Sequence, residues 1–298
     1  MLGSLLTLAQ LRAGVHIDCR LGGEWQIDQQ PTAGQMMLHI VTKGAVKLAV
    51  KNTTHILRAG DIALFCGITH CIQNANADTH RLIDATCAIQ SMSGAFLVNQ
   101  VGSQTDCTML CLNFYADKHS SLLANLPDFF IVTLNEQTLH PLVKLMSDEA
   151  QNPNQIGNAF LVDNLAQSIL VYVLRALPNE KLGGVLKAHQ HPRLSELITQ
   201  IANKPDDDFS IPAMCKKLHL SRSTLIRLFQ KTLGVAPHTF VKTMRLEYAA
   251  RLLRTSQQSV LQIAIETGFG SQTHFNRAFK AHYGVSPSTY RLTPISMQ

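Results

Sequence analysis

One stretch of this chain repeats itself fifty residues later, and that constrains its fold more than any other feature. Residues 221–237 lie over residues 271–287 without a gap. Ser221 matches Ser271, Arg227 matches Arg277, and Phe229 matches Phe279. Gly234, Val235 and Pro237 match Gly284, Val285 and Pro287, and Phe240 then falls over Tyr290. Leu225, Leu228 and Phe229 form an apolar stripe at i, i+3 and i+4, repeated by Phe275, Ala278 and Phe279. That spacing predicts one buried face on each of two equivalent helices. Ser221 and Ser271 stand where such helices would be capped, and Gly234 and Gly284 where they would stop.

A shorter helix is expected before each copy, over Pro212–Leu218 and Val260–Thr267. Ser210 can cap the first of these, because a proline suits the opening turn. Pro237–Arg254 reads as one continuous amphipathic segment, a helix of roughly 27 Å at ~1.5 Å per residue. A strut of that length suits two readers placed near the ~34 Å repeat of successive major grooves.

Charge points the same way. Residues 191–298 carry 14 Lys and Arg against 6 Asp and Glu, whereas residues 1–190 carry 12 against 14. A basic C-terminal third on a slightly acidic remainder is an electrostatic footprint of nucleic-acid binding. Duplicated helices could instead serve packing or protein contact. The repeat, the basic bias and the spacer together favour DNA.

A chain of 298 residues suggests about two domains. No apolar run approaches the ~18 residues of a membrane span, and the apolar start lacks a basic leader region. The cytoplasm is the expected compartment. Val46, Leu48 and Val50 alternate with Lys47, Ala49 and Lys51, the period of a half-buried strand. Several short strands between Gln35 and Asn74 suggest a sandwich or barrel. Residues 137–150 and 158–177 read as helices, the second with Leu161, Leu165, Ile169, Val173 and Leu177 on one face. That stripe either packs within its own domain or forms a dimer seam. Pro178–Gln190 reads as a linker.

The segment from about 192 to 293 resembles the C-terminal domain of the AraC/XylS family of bacterial transcription regulators. The second copy carries the most specific residues: Ile263-Ala264, Gly268-Phe269, Phe275, Arg277, Phe279-Lys280, Gly284, Pro287 and Tyr290. The resemblance implies two helix-turn-helix motifs joined by a linker helix. It puts base-facing side chains at Ser223, Ile226 and Arg227, then at Gln272, Thr273, His274 and Arg277. Cys215 stands where the first motif usually has alanine. Ile226 offers only apolar contact, so the first motif is expected to read sequence less sharply.

Leu57–His70 resembles the second motif of the cupin barrel, with Gly60, Asp61 and His70 matched, Cys66 in the usual place of proline, and one residue fewer. The HxH-plus-Glu pattern of metal-dependent cupin enzymes is not recognisable, so catalysis is not expected. His39, Cys66, His70 and Cys71 are suitable residue types for a regulatory zinc or copper ion. Strand alternation sends Cys71 away from His70, so the four do not bind one ion together.

There are seven cysteines, six of them within the first 111 residues, and no CxxC pair. Burial accounts for any one of them; their clustering invites a sensing role. The order Cys19–Trp25, Gly60–His70, Cys107–Cys111, Leu126-Pro127 and His191-Pro192-Arg193 resembles the AraC subgroup that includes a reactive-chlorine-responsive activator and an activator of multidrug efflux. That resemblance maps redox-sensing cysteines onto Cys19 and Cys111, with Cys107 competing for the second place. Thiol oxidation, a hydrophobic small molecule and a transition metal all stand as signals, with thiol oxidation favoured.

The expected protein is α+β with two domains. Residues 1–185 form a cupin-like β-barrel with helices, for sensing and dimerisation. Residues 192–298 form an all-α double helix-turn-helix. Its expected role is stress-responsive transcription regulation, as an activator, with double-stranded promoter DNA, RNA polymerase and a second copy of itself as partners. No cofactor is required; a metal or small-molecule effector is the candidate ligand. The rival classes are a protein-interaction module and a cupin enzyme.

Overall fold

The computed structural model describes residues 1–76, 82–86, 89–93, 95–133, 137–152 and 154–293. Cys87 lies outside these residues. The chain forms two compact units that are interleaved along the sequence, unlike the single division expected between 185 and 192. One comprises Arg12–Tyr115 and Pro127–Pro178; the other comprises Met1–Leu11, Ala116–Leu126 and Asn179–Gln298.

The first unit is β-rich. Its strands are β1 (Arg12–Ala13), β2 (His16–Leu21), β3 (Trp25–Gln29), β4 (Gln35–Lys43), β5 (Ala45–Val50), β6 (Thr53–Arg58), β7 (Asp61–Cys66), β8 (His70–Asn74), β9 (Ile83–Asp84), β10 (Ile89–Ser93), β11 (Phe96–Val101), β12 (Cys107–Tyr115) and β13 (Phe129–Thr133). One sheet runs β10-β11-β2-β12-β4-β7-β13, with β1 pairing β12; the other runs β6-β5-β8-β3-β9. The alternation in β5 holds: Val46, Leu48 and Val50 are buried and the residues between them are half-buried. Trp25, Val46, Leu48, Phe65 and Ile72 belong to a core contributed by both sheets. Gly44 turns β4 into β5 at φ +77, and a Cβ there would meet the Asp106 carbonyl.

In chain order the helices are α1 (Leu2–Leu8), α2 (Leu139–Gln151), α3 (Asn158–Arg175), α4 (Gly184–Lys187), α5 (Pro192–Asn203), α6 (Ile211–Leu218), α7 (Arg222–Leu233), α8 (Pro237–Thr255), α9 (Val260–Glu266), α10 (Gln272–Tyr283) and α11 (Pro287–Leu292). Helices α2 and α3 belong to the β-rich unit. On α3, Leu165, Ile169 and Val173 are buried, as are Leu170 and Leu174. Leu161 and Phe160, at its start, are exposed.

The second unit is helical, with two cores. In the first, Leu5 and Leu8 of α1 pack with Leu194, Leu197 and Ile198 of α5, with Leu225 and Phe229 of α7, and with Phe240 and Met244 of α8. Val185 and Ala188 are buried in that same core. The segment 178–190, read as a linker, is therefore partly a packed element, because Val185 and Ala188 find a core to enter. The second core joins Leu246, Ala250 and Leu253 of α8 to Ile263, Phe275, Phe279 and Tyr290. Helix α8 thus buries its N-terminal half in one core and its C-terminal half in the other. A one-sided amphipathic pattern does not describe a helix buried in this way.

Candidate nucleic-acid interface and buried thiol chain

In the helical unit, each repeat is built the same way. Ser210 and Ser259 cap the short leading helices α6 and α9, and Ser221 and Ser271 cap α7 and α10 by accepting from Thr224 and His274 backbone N–H groups. Both α7 and α10 end at a left-handed glycine, Gly234 (φ +73) and Gly284 (φ +77). Leu225 and Phe229 point inward from α7, and Phe275, Ala278 and Phe279 from α10.

The opposite faces are open to solvent. Ser223, Ile226 and Arg227 are exposed on α7, and Gln272, Thr273, His274 and Arg277 on α10. These groups are of the kind that bonds base edges and phosphates. Ile226, at 36% exposure, is the apolar member. Cys215 is half-buried against the first core.

Sequence reasoning missed Arg245, the residue that ties the two repeats together. From α8 its Nε donates to the Pro205 carbonyl at 2.7 Å, Nη2 to Asp207 at 3.2 Å and Nη1 to Gly268 at 3.1 Å. The first two carbonyls precede α6, and the third follows α9. A guanidinium is suited to this because its donors diverge in a fixed plane. In the sequence it is one more basic residue on a helix.

A polar cluster on the same helix was also missed. Glu247 is buried and accepts from the Ser121 N–H at 2.8 Å and the Ser121 hydroxyl at 3.3 Å. Burial raises its pKa to about 7, against the lowering effect of the two Ser121 bonds; the Asp117 carboxylate adds to the rise. The Tyr290 hydroxyl donates to Asp117 at 2.5 Å.

In the β-rich unit, strand register brings four predicted residues into a line. Strand β12 lies between β2 and β4, so Cys111 stands directly opposite His39 and one step diagonal from Cys19. Cys19 Sγ is 3.7 Å from Cys111 Sγ, and Cys111 Sγ is 3.1 Å from His39 Nδ1. His39 Nε2 is 2.8 Å from Nε2 of His70 on the other sheet, and His70 Nδ1 is 3.0 Å from the Ile68 carbonyl. Phe65 stacks on the His70 ring at 3.6 Å between centroids. All four side chains are buried. Burial lowers the pKa of both imidazoles to about 3; His39 adds to the lowering at His70, opposed by the Ile68 bond. Cys19 is pushed well up, first by its contact with Cys111 and then by burial.

The other candidates lie apart from this line. Cys107 is buried on the same face of β12, with its pKa raised to about 12 by burial and by Cys19 and Asp106. The metal candidates do not assemble. His39 meets His70, but Cys66 has Asp128 as its charged neighbour, and Cys71 has Asp28 and Asp84. Among the described residues no group of three or more His, Cys, Asp or Glu could hold a metal ion. The reason is the strand alternation that buries His70 and leaves Cys71 half-exposed. Among the described residues no helix is long and apolar enough to cross a membrane.

Known families match the two parts of the chain separately. Residues 214–293 match a helix-turn-helix domain family, and residues 1–178 match a cupin family. An uncharacterized HTH-type transcriptional regulator of Haemophilus influenzae is 36% identical over 297 residues, covering 97% of each chain. The HTH-type transcriptional regulator MtrA of Neisseria gonorrhoeae is 34% identical over 298 residues, covering 98% of this chain and 97% of its own. The RCS-specific HTH-type transcriptional activator RclR of Escherichia coli is 24% identical over 305 residues, covering 97% and 96%.

Proposed function

This chain belongs to the AraC family of transcription regulators, and from that premise we propose that it is a cytoplasmic, promoter-binding activator switched by oxidation of Cys19 and Cys111. The carrying observation for DNA binding is the duplicated α6–α7 and α9–α10 unit, capped alike and presenting polar side chains outward from both second helices. The assigned base readers are Ser223, Ile226 and Arg227 in the first repeat and Gln272, Thr273, His274 and Arg277 in the second. A homodimer on adjacent half-sites, recruiting RNA polymerase, completes this reading. No catalytic turnover enters it.

The redox part is supported by the 3.7 Å separation of two reduced sulfurs on neighbouring strands. A disulfide needs about 2 Å between them, a movement that adjacent strands can supply. One relative carries the description RCS-specific activator. Oxidation would create a two-state element, and any shift in DNA binding would follow from how differently the two states bind. The chain leaves β12, which bears Cys111, at Tyr115; the next eleven residues, Ala116–Leu126, belong to the helical unit. Covalent continuity therefore offers a route for the change.

The test is promoter binding and transcription by the full-length protein, reduced and then mildly oxidised, beside Cys19→Ser. Binding should weaken steeply with salt, as phosphate contacts require. An oxidant-dependent change in transcription that Cys19→Ser lacks supports the reading. Salt-dependent binding indifferent to oxidant would keep the regulator and remove the thiol switch.

A further inference from the structure

The line from Cys19 to Ile68 has only one consistent direction. A carbonyl can only accept, so His70 Nδ1 carries the proton donated to Ile68. In a neutral ring that leaves His70 Nε2 bare. His39 Nε2 must then be the donor across the 2.8 Å contact, which leaves His39 Nδ1 bare. The bare nitrogen accepts from the Cys111 S–H at 3.1 Å, and Cys111 sulfur in turn accepts from the Cys19 S–H at 3.7 Å. Every member is satisfied, and every proton points from Cys19 toward His70. Of the two thiols, Cys111 is the one in contact with a base.

We infer that His39, backed by His70, is the proton acceptor that makes Cys111 the attacking thiol toward small neutral two-electron oxidants, with Cys19 as the resolving thiol. This rests on the thiol-oxidation reading and assigns its chemistry. A buried thiol is ordinarily inert, because its thiolate is poorly solvated. The relay answers that difficulty from within the core. Burial holds the pKa of both imidazoles at about 3, so no imidazolium stands in the core: as Cys111 sulfur attacks, its proton passes to His39 Nδ1 and on to the departing oxygen in one concerted step. His70, whose Nδ1–H is held by the Ile68 carbonyl, accepts from His39 Nε2 and so keeps His39 Nδ1 bare for that transfer. The other ionisable groups against Cys19 are Cys107 and Asp18, and Asp18 is already held by Arg20 through two bonds of 2.8 and 2.9 Å.

With hydrogen peroxide the steps balance. Cys111 sulfur attacks one peroxide oxygen; an S–O bond forms and the O–O bond breaks. The departing hydroxide takes the relayed proton and leaves as water. Cys19 sulfur then attacks Cys111 sulfur; the S–S bond forms, the S–O bond breaks, and hydroxide leaves with the Cys19 proton as a second water. Two thiols lose two electrons and one peroxide gains them. With Cys19 at 1% and Cys111 at 3% exposure, only small uncharged oxidants fit this role.

The experiment follows formation of the Cys19–Cys111 disulfide by quenched mass spectrometry in full-length protein treated with hydrogen peroxide, from pH 5.5 to 7.5. A proton kept inside the relay makes the rate independent of pH over this range. Attack by thiolate drawn from bulk equilibrium gains about tenfold per pH unit. Wild type should be flat, and His39→Gln should be slower by roughly a hundredfold and should regain the slope. Cys19→Ser should trap a sulfenic acid on Cys111, while Cys111→Ser should leave Cys19 reduced over the same interval. A wild-type rate that climbs with pH overturns the relay whether or not the His39 variant folds. So does folded His39→Gln reacting at the wild-type rate, or Cys19 trapped in place of Cys111. Absence of any Cys19–Cys111 disulfide in wild type, by contrast, removes the thiol-oxidation reading itself.

Discussion

The backbone N–H of Ser121 donates to the buried carboxylate of Glu247 at 2.8 Å, joining a segment from the middle of the sequence to the helix between the two DNA-reading repeats. Such a carboxylate is costly when charged, because desolvation outweighs the Ser121 bonds and raises its pKa to about 7. In the unfolded chain it titrates near 4.5. Between these values the folded state holds a proton that the unfolded state lacks. This group's penalty therefore appears as pH rises through 7 and is relieved as pH falls toward 4.5. Glu247→Gln keeps an oxygen for Ser121 and removes the charge. Relative to wild type it should gain stability as pH rises from 5 to 8, by at most about 3 kcal/mol. Thermal unfolding of both proteins across that range measures the difference; a constant offset would contradict it.

Gly268 should not tolerate a side chain. Its φ is +74, and an added Cβ would stand 2.8 Å from the Arg245 guanidinium. Gly268→Ala therefore strains the backbone and displaces the side chain that bridges both repeats, costing ~1–3 kcal/mol. Gly270→Ala is the control, since a Cβ there meets nothing within 4 Å. Melting temperatures should separate the two, and affinity for a two-site DNA should fall with Gly268→Ala alone.

Arg277 is exposed on α10, beside Gln272, Thr273 and His274. Arg277→Ala should weaken specific binding by ~1–3 kcal/mol and relax discrimination at one base pair. Ile226→Ala should change sequence preference less. Binding to a library of single-base variants reads both; an unchanged profile for Arg277→Ala would remove its assigned role.

Helix α1 should be structural for the DNA-binding unit. Leu5 and Leu8 are buried with Leu194, Leu197 and Phe229. Leu5→Ala leaves a cavity in that core and should cost ~2–5 kcal/mol. Denaturant unfolding of the full chain, monitored in the helical unit, measures this; a cost near zero would mean α1 contributes little to the core.

The helical unit was legible because its information is local. Repeated Ser caps, a 3.6-residue apolar period and two stop glycines specify the same helix twice, and the basic bias says what faces outward. The β-rich unit was half legible. Alternation in β5 showed one buried face, but β2, β4 and β12 do not alternate cleanly, since these strands bury side chains on both faces. The stripe on α3 marked a buried face, and the exposed Phe160 and Leu161 stood at its edge. The segment 178–190 misled because a few apolar residues among glycines and lysines resemble a linker until a core exists for Val185 and Ala188.

By itself, the sequence determined the duplicated reader, its capped helices and the residue types it turns outward, because each depends on neighbours within about four positions. Tertiary structure alone decided which thiol meets which base. Cys19 and Cys111 lie 92 positions apart with His39 and His70 between them, and strand register across two sheets aligns the four into one hydrogen-bonded line. The same holds for Glu247 with Ser121 and for Arg245 with three backbone carbonyls. Pairings between distant segments arise only when burial forces each polar group to find a partner.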